Sequence, residues 1–499
     1  MNPGVLPHAR APLAAFLLGA ATVLGFAPAA LAPVPVLSAA GLLWLWQGAA
    51  SPRRAAALGF AFGLGLFLTG VSWVYVSLHD FGAMPAPLAA LATLLFCAFL
   101  ALYPALAGYL QARFAGPVAP KQLLLIPALW VLTEWLRDWV FTGFPWLTLG
   151  YSQADSALGG YAALTGVFGL SWLVVLCAAL LLALARKRRR TAALAALALV
   201  LGSGYGLARV EWTQAQGAPV TVSLVQGNIA QDLKWDATRY AATVQLYRRM
   251  IEGSAARLTI LPETAIPRFL DLLDPELVRA LELSARSHGG DLIIGLPLRD
   301  APGRYFNSVF SLGASPTQRY DKIHLVPFGE FIPPGFGWVL SVLKIPLSDF
   351  SRGSTAQAPL ALAGQKIAVN ICYEDAFGEE IIRFLPEATL LVNVSNVAWF
   401  GDSLAPHQHL QISQLRALET GRTMLRATNT GMTAIIDHRG RIAGVLPPFT
   451  QGTLNGNAQG RSGATPYVRW GNAPLLALAL LACGLFALRY KTMPARPSA

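Results

Sequence analysis

The chain has 499 residues, enough for more than one domain, but only 13% are charged and 54% are hydrophobic. A soluble globular domain carries about a quarter charged residues, so composition excludes a wholly soluble protein and indicates an integral membrane protein with a large soluble part. The net charge of +12 does not mark a nucleic-acid binder, because residues 210–470 hold 23 Lys and Arg against 22 Asp and Glu and show no basic face with interleaved aromatics.

Eight apolar stretches approach the roughly 20 residues that a helix needs to cross a bilayer. They cover 11–27, 31–49, 55–77, 86–112, 122–140, 159–185, 191–208 and 472–488. The first is followed at once by a second apolar run, which reads as an uncleaved helix and not a signal peptide. Near the end of the fifth, Glu134 and Arg137 are three apart and able to pair on one helix face. With eight crossings, Arg10, Arg53, Arg54, Arg113, Lys121, the run Arg186–Arg190, Arg489, Lys491 and Arg496 fall on one side. Loops 28–30, 78–85 and 141–158 on the other side contain no Lys or Arg. Thirteen against none, by the positive-inside rule, puts both termini in the cytoplasm and 209–471 on the opposite face. In a bacterium that face is the periplasm.

From about 219 the pattern changes to short β-rich runs: V-T-V-S-L-V-Q-G, L-T-I-L-P-E, D-L-I-I-G-L-P, Y-F-N-S-V-F-S-L, K-I-A-V-N-I-C and A-T-L-L-V-N-V-S. Helix-like stretches at 237–255, 275–288 and 404–420 lie between several of them, which predicts an α/β domain with buried strands over 210–455. T-A-I-I-D-H-R-G-R-I-A-G-V-L predicts a hairpin turning at His438–Gly440. The Gly/Asn/Gln/Ser-rich stretch 451–466 reads as a linker, with 456–471 leading to the last membrane helix and tail, 472–499. The segment 331–350 is unusually apolar for a loop. It predicts a loop that dips into the outer leaflet, with Trp338, Leu340 and Leu343 facing lipid, in preference to a capped core helix.

Three strand ends carry reactive side chains. Glu263 follows a β-run and a proline in L-P-E-T-A-I-P. Y-D-K-I-H-L-V-P-F-G-E offers Lys322, His324 and Glu330, and I-C-Y-E-D offers Cys372, Tyr373 and Glu374. Sites in open α/β folds gather at the carboxyl ends of strands. The other three cysteines, Cys97, Cys177 and Cys483, lie in apolar runs, so no disulfide framework is indicated. Cys372 is therefore an inert buried thiol or the centre of the chemistry. A thiol is mostly protonated at neutral pH. A carboxylate in contact can take its proton, and a lysine can stabilise thiolate and oxyanion. The N–H of Tyr373 is a natural second oxyanion donor, and the chemistry this supports is acyl transfer through a thioester. His324 alternates with apolar residues and reads as structural. His407 and His409 lack further ligands for zinc, and no metal or organic-cofactor motif appears.

P-E-T-A-I-P, Y-x-K-x-H-L-V-P-F-G-E and I-C-Y-E resemble the Glu, Lys and Cys signatures of the nitrilase superfamily over about 220–455, which implies an α-β-β-α sandwich. Q-G-N-I with K-W-D (234–236), N-V-S-N-V-A-W-F-G (393–401), the stretch 415–431 and F-P-W-L (144–147), together with the membrane helices, resemble the bacterial apolipoprotein N-acyltransferase family over the whole chain. That resemblance implies an acyl chain taken from a phospholipid, usually the sn-1 position of phosphatidylethanolamine, onto Cys372. The chain then passes to the α-amino group of the S-diacylglyceryl cysteine that begins an apolipoprotein. It implies Glu263 as base, Lys322 as charge stabiliser and Glu330 as a second essential glutamate, with Tyr373 and Glu374 supporting the nucleophile. Trp235 matches a tryptophan near the lipid-access loops, Gly143 and Trp146 match a supporting periplasmic loop, and Trp399 lies in the A-W-F-G motif of the lipid side. Val397 stands where an aspartate is common. Nothing in the sequence requires more than a monomer. A membrane-tethered amidohydrolase shares the Glu–Lys–Cys set, whereas the intact set speaks against a silent lipoprotein-binding scaffold.

Overall fold

A computed structural model describes residues 10–114, 121–185, 189–333 and 349–492. They form two compact units. One comprises the chain up to Ser72, Ala90–Val210 and the stretch from Trp470 onward; the other comprises Trp73–Ala89 and Glu211–Arg469.

The first unit is helical. Among the described residues, Ala86–Arg113, Ala157–Leu184 and Arg190–Leu207 are long and apolar enough to cross a membrane, and Pro52–Gly70 with Val74–Phe81 makes a fourth if that bent pair is one span. This is fewer than the eight spans expected from hydropathy. Proline and glycine cut the others short: one helix runs only from Pro33 to Gln47, stopping at Gly48. Its 15 residues cover about 22 Å, less than the ~30 Å of a hydrocarbon core. The apolar run 122–140 similarly divides into a π-turn, Lys121–Leu125, and a 12-residue helix, Ile126–Arg137. Helices Ala11–Thr22 and Pro52–Gly70 cross backbone to backbone at Gly19 and Gly65, where a methyl would overlap the carbonyls of Phe62 and Phe16.

The second unit is built on two six-stranded sheets. Its strands are β1 (Gln214–Ala215), β2 (Val220–Gln226), β3 (Leu258–Ile260), β4 (Asp291–Ala301), β5 (Arg304–Gly313), β6 (Arg319–Asp321) and β7 (Leu360–Leu362). They continue with β8 (Gln365–Ile371), β9 (Leu390–Ser395), β10 (Thr423–Thr428), β11 (Ala434–Ile436), β12 (Ile442–Val445), β13 (Gly452–Ala458) and β14 (Arg461–Ser462). The sheet orders are β13-β2-β3-β4-β5-β6 and β12-β11-β10-β9-β8-β7. In each sheet the centre is parallel, β2-β3-β4 and β8-β9-β10, and the flanking pairs are antiparallel.

Alternation along the strands explains the layers. Val222 and Leu224 of β2 and Ile293 of β4 share one core with Ile367, Val369, Ile371 and Leu391 of the other sheet. Their neighbours Val225, Leu292 and Ile294 point the opposite way, into a second core with Tyr247, Ile251 and Leu281 of the helices Tyr240–Glu252 and Pro275–Arg286. Helix Ala405–Thr420 covers the outside of the second sheet through Leu410 and Ala417. The expected α-β-β-α sandwich is thus present, with the hairpin β11–β12 turning at Asp437–Gly440. The stretch expected to be a linker is instead structural: β13 pairs with β2 from Gly452↔Gln226 to Ala458↔Val220, and β14 pairs with β1. A polar, glycine-containing edge strand with one wet face lacks the apolar run that betrays a central strand.

Asp291 clasps the two sheets. Its buried carboxylate accepts from Ser315 N–H (2.7 Å) and Ser315 Oγ (2.7 Å) next to β5, and from Ala363 N–H (2.6 Å) beside β7. Asp291→Ala strands these donors, so we expect a stability loss of about 3 kcal/mol and a Tm lower by about 6 °C or more in detergent. An unchanged Tm would remove the clasp from the fold's stabilising contacts.

Candidate active site

β3, β6 and β8 end at one edge of the sandwich and deliver Glu263, Lys322 and Cys372 there. Cys372 directly follows β8 and opens a 3-10 turn with φ +55°, a strained conformation for a residue with a side chain. This is the sharp elbow anticipated from V-N-I-C-Y-E-D. Glu263 lies three residues past β3, where Gly295 of β4 lets the Pro262–Thr264 backbone approach closely. Lys322 follows β6, and its N–H bonds to the carbonyl of Asn307 on β5 (2.9 Å).

Lys322 is 1% exposed and sits between two carboxylates. Its Nζ donates to Glu330 Oε1 at 2.9 Å and to Glu263 Oε1 at 3.5 Å. Asn307 Nδ2 donates to the same two oxygens, at 2.7 Å each. The far oxygen of Glu263 accepts from Asn396 N–H (2.7 Å), and that of Glu330 from Val326 N–H (2.8 Å). Burial by itself would lower Lys322, but Glu330 and Glu263 outweigh it and hold the ammonium well above its usual range. Burial by itself would raise Glu263, but Lys322, Asn307, Lys234 and the Asn396 N–H together keep it below the usual carboxylate range. Cys372 is raised by burial and then by the Glu263 charge, with Lys322 pulling the other way. The resting state is therefore thiol, carboxylate and ammonium.

Glu374 faces backwards. It accepts from Ile371 N–H (2.6 Å) on β8 and from Ile323 N–H (2.7 Å) and His324 N–H (3.0 Å) on the lysine loop. Tyr320 Oη donates to both its oxygens at 3.0 Å. One carboxylate thus ties the loops that carry Cys372 and Lys322. Burial pushes Glu374 up to about 7 against the pull of these N–H groups and Lys322. Tyr373 is buried, its ring edge-on to Phe377 and His324. His324 stacks on Phe377 and pairs with Glu380 at 3.0 Å, the structural role expected for it.

The remaining residues expected at the site lie on several other elements. Trp235 is half-buried at the end of a short helical turn, Gln231–Lys234. Trp399 is half-buried, edge-on to Phe81. Gly143 and Trp146 belong to the helical unit; Trp146 is buried, and its carbonyl accepts from Arg137 (2.6 Å). Glu134, expected to pair with Arg137, accepts from Trp130 Nε1 and Leu149 N–H, both at 3.0 Å. Val397 is buried in the turn after Asn396, against Gly431. Trp338, Leu340 and Leu343 lie outside the described residues.

Several site residues escaped sequence reasoning. Asn307 bridges Glu263 and Glu330; Asn396 holds Glu263 and is itself bonded to Gln231 and Asn429. Lys234 is buried, lowered by burial to about 8, and donates to the Glu263 carbonyl at 3.1 Å. The available signal was a polar residue in an otherwise apolar strand, as in Y-F-N-S-V-F.

A thiol on an elbow beside a carboxylate and a buried ammonium is chemically able to support acyl transfer, and the domain that holds them is of the carbon-nitrogen hydrolase class. The carbon-nitrogen hydrolase profile matches residues 221–467, and that of the apolipoprotein N-acyltransferase N-terminal domain matches 18–180. The chain is 54% identical to an apolipoprotein N-acyltransferase of Nitrosomonas europaea, over 96% of this chain and 99% of that one. It is 48% identical to one of Methylococcus capsulatus over 94% of each chain, and 50% identical to one of Chromobacterium violaceum over 95% and 92%. The chain belongs to the apolipoprotein N-acyltransferase family and is an acyltransferase.

The pH behaviour of the thiol follows from its surroundings. Because Cys372 is raised, its thiolate fraction keeps growing with pH. Alkylation by iodoacetamide without substrate should therefore climb steadily from pH 6 to pH 9. A plateau below pH 8 would mean a resting thiolate and contradict this electrostatic reading. Glu374→Gln puts an NH2 among N–H donors. It should cut activity by about tenfold or more through loss of loop position, and wild-type turnover in that variant would leave Glu374 without a supporting role.

Proposed function

We propose that the chain transfers a fatty acyl group from a phospholipid to the α-amino group of the S-diacylglyceryl cysteine of an apolipoprotein, by a ping-pong route through a Cys372 thioester. The observation that carries this reading is the contact of Lys322 with both Glu263 and Glu330 beside a thiol that burial keeps protonated. The family names of the relatives supply the acceptor. The sn-1 ester of phosphatidylethanolamine is the donor the family resemblance favours.

In the first half-reaction the Cys372 sulfur attacks the ester carbonyl while its proton moves to Glu263. The new oxyanion lies against the Tyr373 N–H and the Lys322 ammonium. Collapse breaks the ester C–O bond, and the leaving alkoxide takes the proton from Glu263, leaving a thioester and a lysophospholipid. In the second half-reaction the acceptor amine attacks the thioester carbon and gives a proton to Glu263. The C–S bond breaks, the sulfur regains that proton, and an amide leaves. Proton transfer from Cys372 to Glu263 moves a negative charge from oxygen to sulfur without changing the net charge beside Lys322. The same cluster therefore serves both steps.

The supporting topology is eight crossings, with residues 1–209 and 472–499 in the inner membrane, both termini cytoplasmic and the catalytic domain periplasmic. Thirteen Lys and Arg against none in the short loops favour it. Helices shorter than a span reach further with their flanking turns, as Lys121–Leu125 does for Ile126–Arg137. A monomer suffices, because Glu263, Lys322 and Cys372 come from one chain. Trp235, Trp399 and Trp338 are assigned to the lipid side, and Gly143 and Trp146 to the supporting loop.

Purified protein incubated with phosphatidylethanolamine and a diacylglyceryl lipopeptide should yield N-acylated peptide and lysophospholipid by mass spectrometry. Free fatty acid without N-acylated peptide would make the protein a hydrolase. Cys372→Ala should abolish the acyl-enzyme adduct, and Glu263→Gln should slow its formation by about 10²-fold or more. An adduct that persists elsewhere, or normal acylation of Glu263→Gln, would reassign nucleophile or base.

A further inference from the structure

Directly behind the nucleophile lies a buried polar network that the reaction as described does not use. The carbonyl of Cys372 accepts two side-chain hydrogen bonds, from Asn393 Nδ2 at 3.1 Å and from His409 Nε2 at 3.2 Å. His409 Nε2 also lies 2.7 Å from Asp375 Oδ1. Both neighbours of that nitrogen are acceptors, so the network assigns its proton to Nε2. Burial, followed by the Arg426 charge, lowers His409, which keeps the imidazole neutral at neutral pH.

The two donors are themselves held. Asn393 Nδ2 spends its other hydrogen on Asn370 Oδ1 (2.5 Å), and Asn393 Oδ1 accepts from Arg426 Nη1 (2.6 Å) and Ser395 Oγ (2.6 Å). Asp375 Oδ2 accepts from Arg426 Nη1 (3.1 Å) and from Ser413 Oγ. Asp375, His409 and Arg426 are each at most 1% exposed. Burying so many ionisable groups is not a cheap way to fill a core, since apolar residues of similar volume do as well or better. Asn393 of β9 and His409 of the helix Ala405–Thr420 meet at one backbone oxygen, and Arg426 of β10 braces Asn393 and Asp375 behind them.

That oxygen belongs to a planar peptide unit whose other end is the Tyr373 N–H. Carbonyl and N–H point in opposite directions across the plane. Fixing the oxygen from behind fixes where the N–H points in front, and hydrogen bonds to the oxygen polarise the amide and strengthen its N–H as a donor. Cys372 at φ +55° is where β8 breaks into a 3-10 turn, so the strand ladder ends at Ile371 and does not hold this plane. We propose that His409 and Asn393 are positioning residues that aim and polarise the Tyr373 N–H, through the Cys372 carbonyl, toward the oxyanion of the acyl-transfer step. Asp375 and Arg426 hold those two donors in place. The inference rests on the thioester reading above.

Two reactions of the same thiol separate this role from a general effect on the fold. Alkylation by iodoacetamide is a displacement at a saturated carbon and forms no oxyanion. Acylation by p-nitrophenyl palmitate forms one at the ester carbonyl and releases p-nitrophenolate. In the full-length protein in detergent, His409→Phe and Asn393→Leu should slow single-turnover acylation of Cys372 about tenfold or more and leave its alkylation within about twofold. His409→Gln keeps an N–H donor and should recover most of the acylation rate. Should wild-type protein fail to acylate at Cys372 at all, the thioester reading itself falls. If wild type acylates and His409→Phe matches it, or if that variant loses acylation and alkylation in equal measure, the positioning role falls and the thioester reading stands.

Discussion

The buried ammonium of Lys322 is the interaction on which the site depends. A lone ammonium taken out of water costs several kcal/mol, and Lys322 is as enclosed as any core leucine. Glu330 at 2.9 Å and Glu263 at 3.5 Å make its burial tolerable. The dependence runs both ways. Without the lysine, two carboxylates sharing Asn307 Nδ2 would repel, and one would hold a proton. Glu263 would then be a poorer acceptor for the thiol proton. The cation, more than either acid, fixes the protonation state from which the chemistry starts.

The fold supplies that arrangement by bringing strand ends of two sheets to one edge. Glu263 and Lys322 follow β3 and β6 of one sheet, and Cys372 follows β8 of the other. The site is therefore as rigid as the inter-sheet core, and two carboxylates reinforce it from opposite sides. Asp291 joins the sheets through Ala363, while Glu374 joins β8 to the lysine loop. Glu263 and Glu374 show how environment divides the labour between like residues. Glu263 meets two lysines and is kept ionised. Glu374, surrounded mainly by backbone N–H groups and Tyr320 in a drier position, is raised by burial and used as a tie.

Much of this was legible in the sequence, for a physical reason. Reactive side chains placed at strand ends stand out, and Glu263, Lys322 and Cys372 occupy such positions, with Glu330 farther along the lysine loop. The central strands are equally plain as short apolar β-rich runs, and the three helices as the longer stretches between them. What stayed hidden sits inside elements. Asn307, Asn393 and Arg426 occupy positions that read as ordinary strand interior, because only tertiary contact reveals which buried polar residue meets a charge. β13 was taken for a linker, since an edge strand with glycine and asparagine has no apolar signature. Hydropathy marks eight apolar runs where three or four described helices are long enough to span, because it averages over prolines and glycines that interrupt the backbone, as between Pro33 and Gly48.

The Glu–Lys–Cys set does not by itself distinguish acyl transfer from hydrolysis. Either water or an amine can attack a thioester beside Glu263, and both give their proton to the same oxygen. The choice must come from what reaches the thioester carbon. Water is small and abundant, so excluding it requires apolar cover over the acyl chain, and an amine acceptor must arrive already anchored. A lipid-bearing acceptor meets both conditions at once, because its own acyl chains hold its amine at the membrane surface where the donor's chain also lies. The proposed route therefore places selection for N-acylation in what reaches the thioester, and leaves to the buried cluster around Lys322 a proton relay indifferent to the nucleophile. The same relay can therefore serve hydrolases and acyltransferases of one superfamily without altering its charged residues.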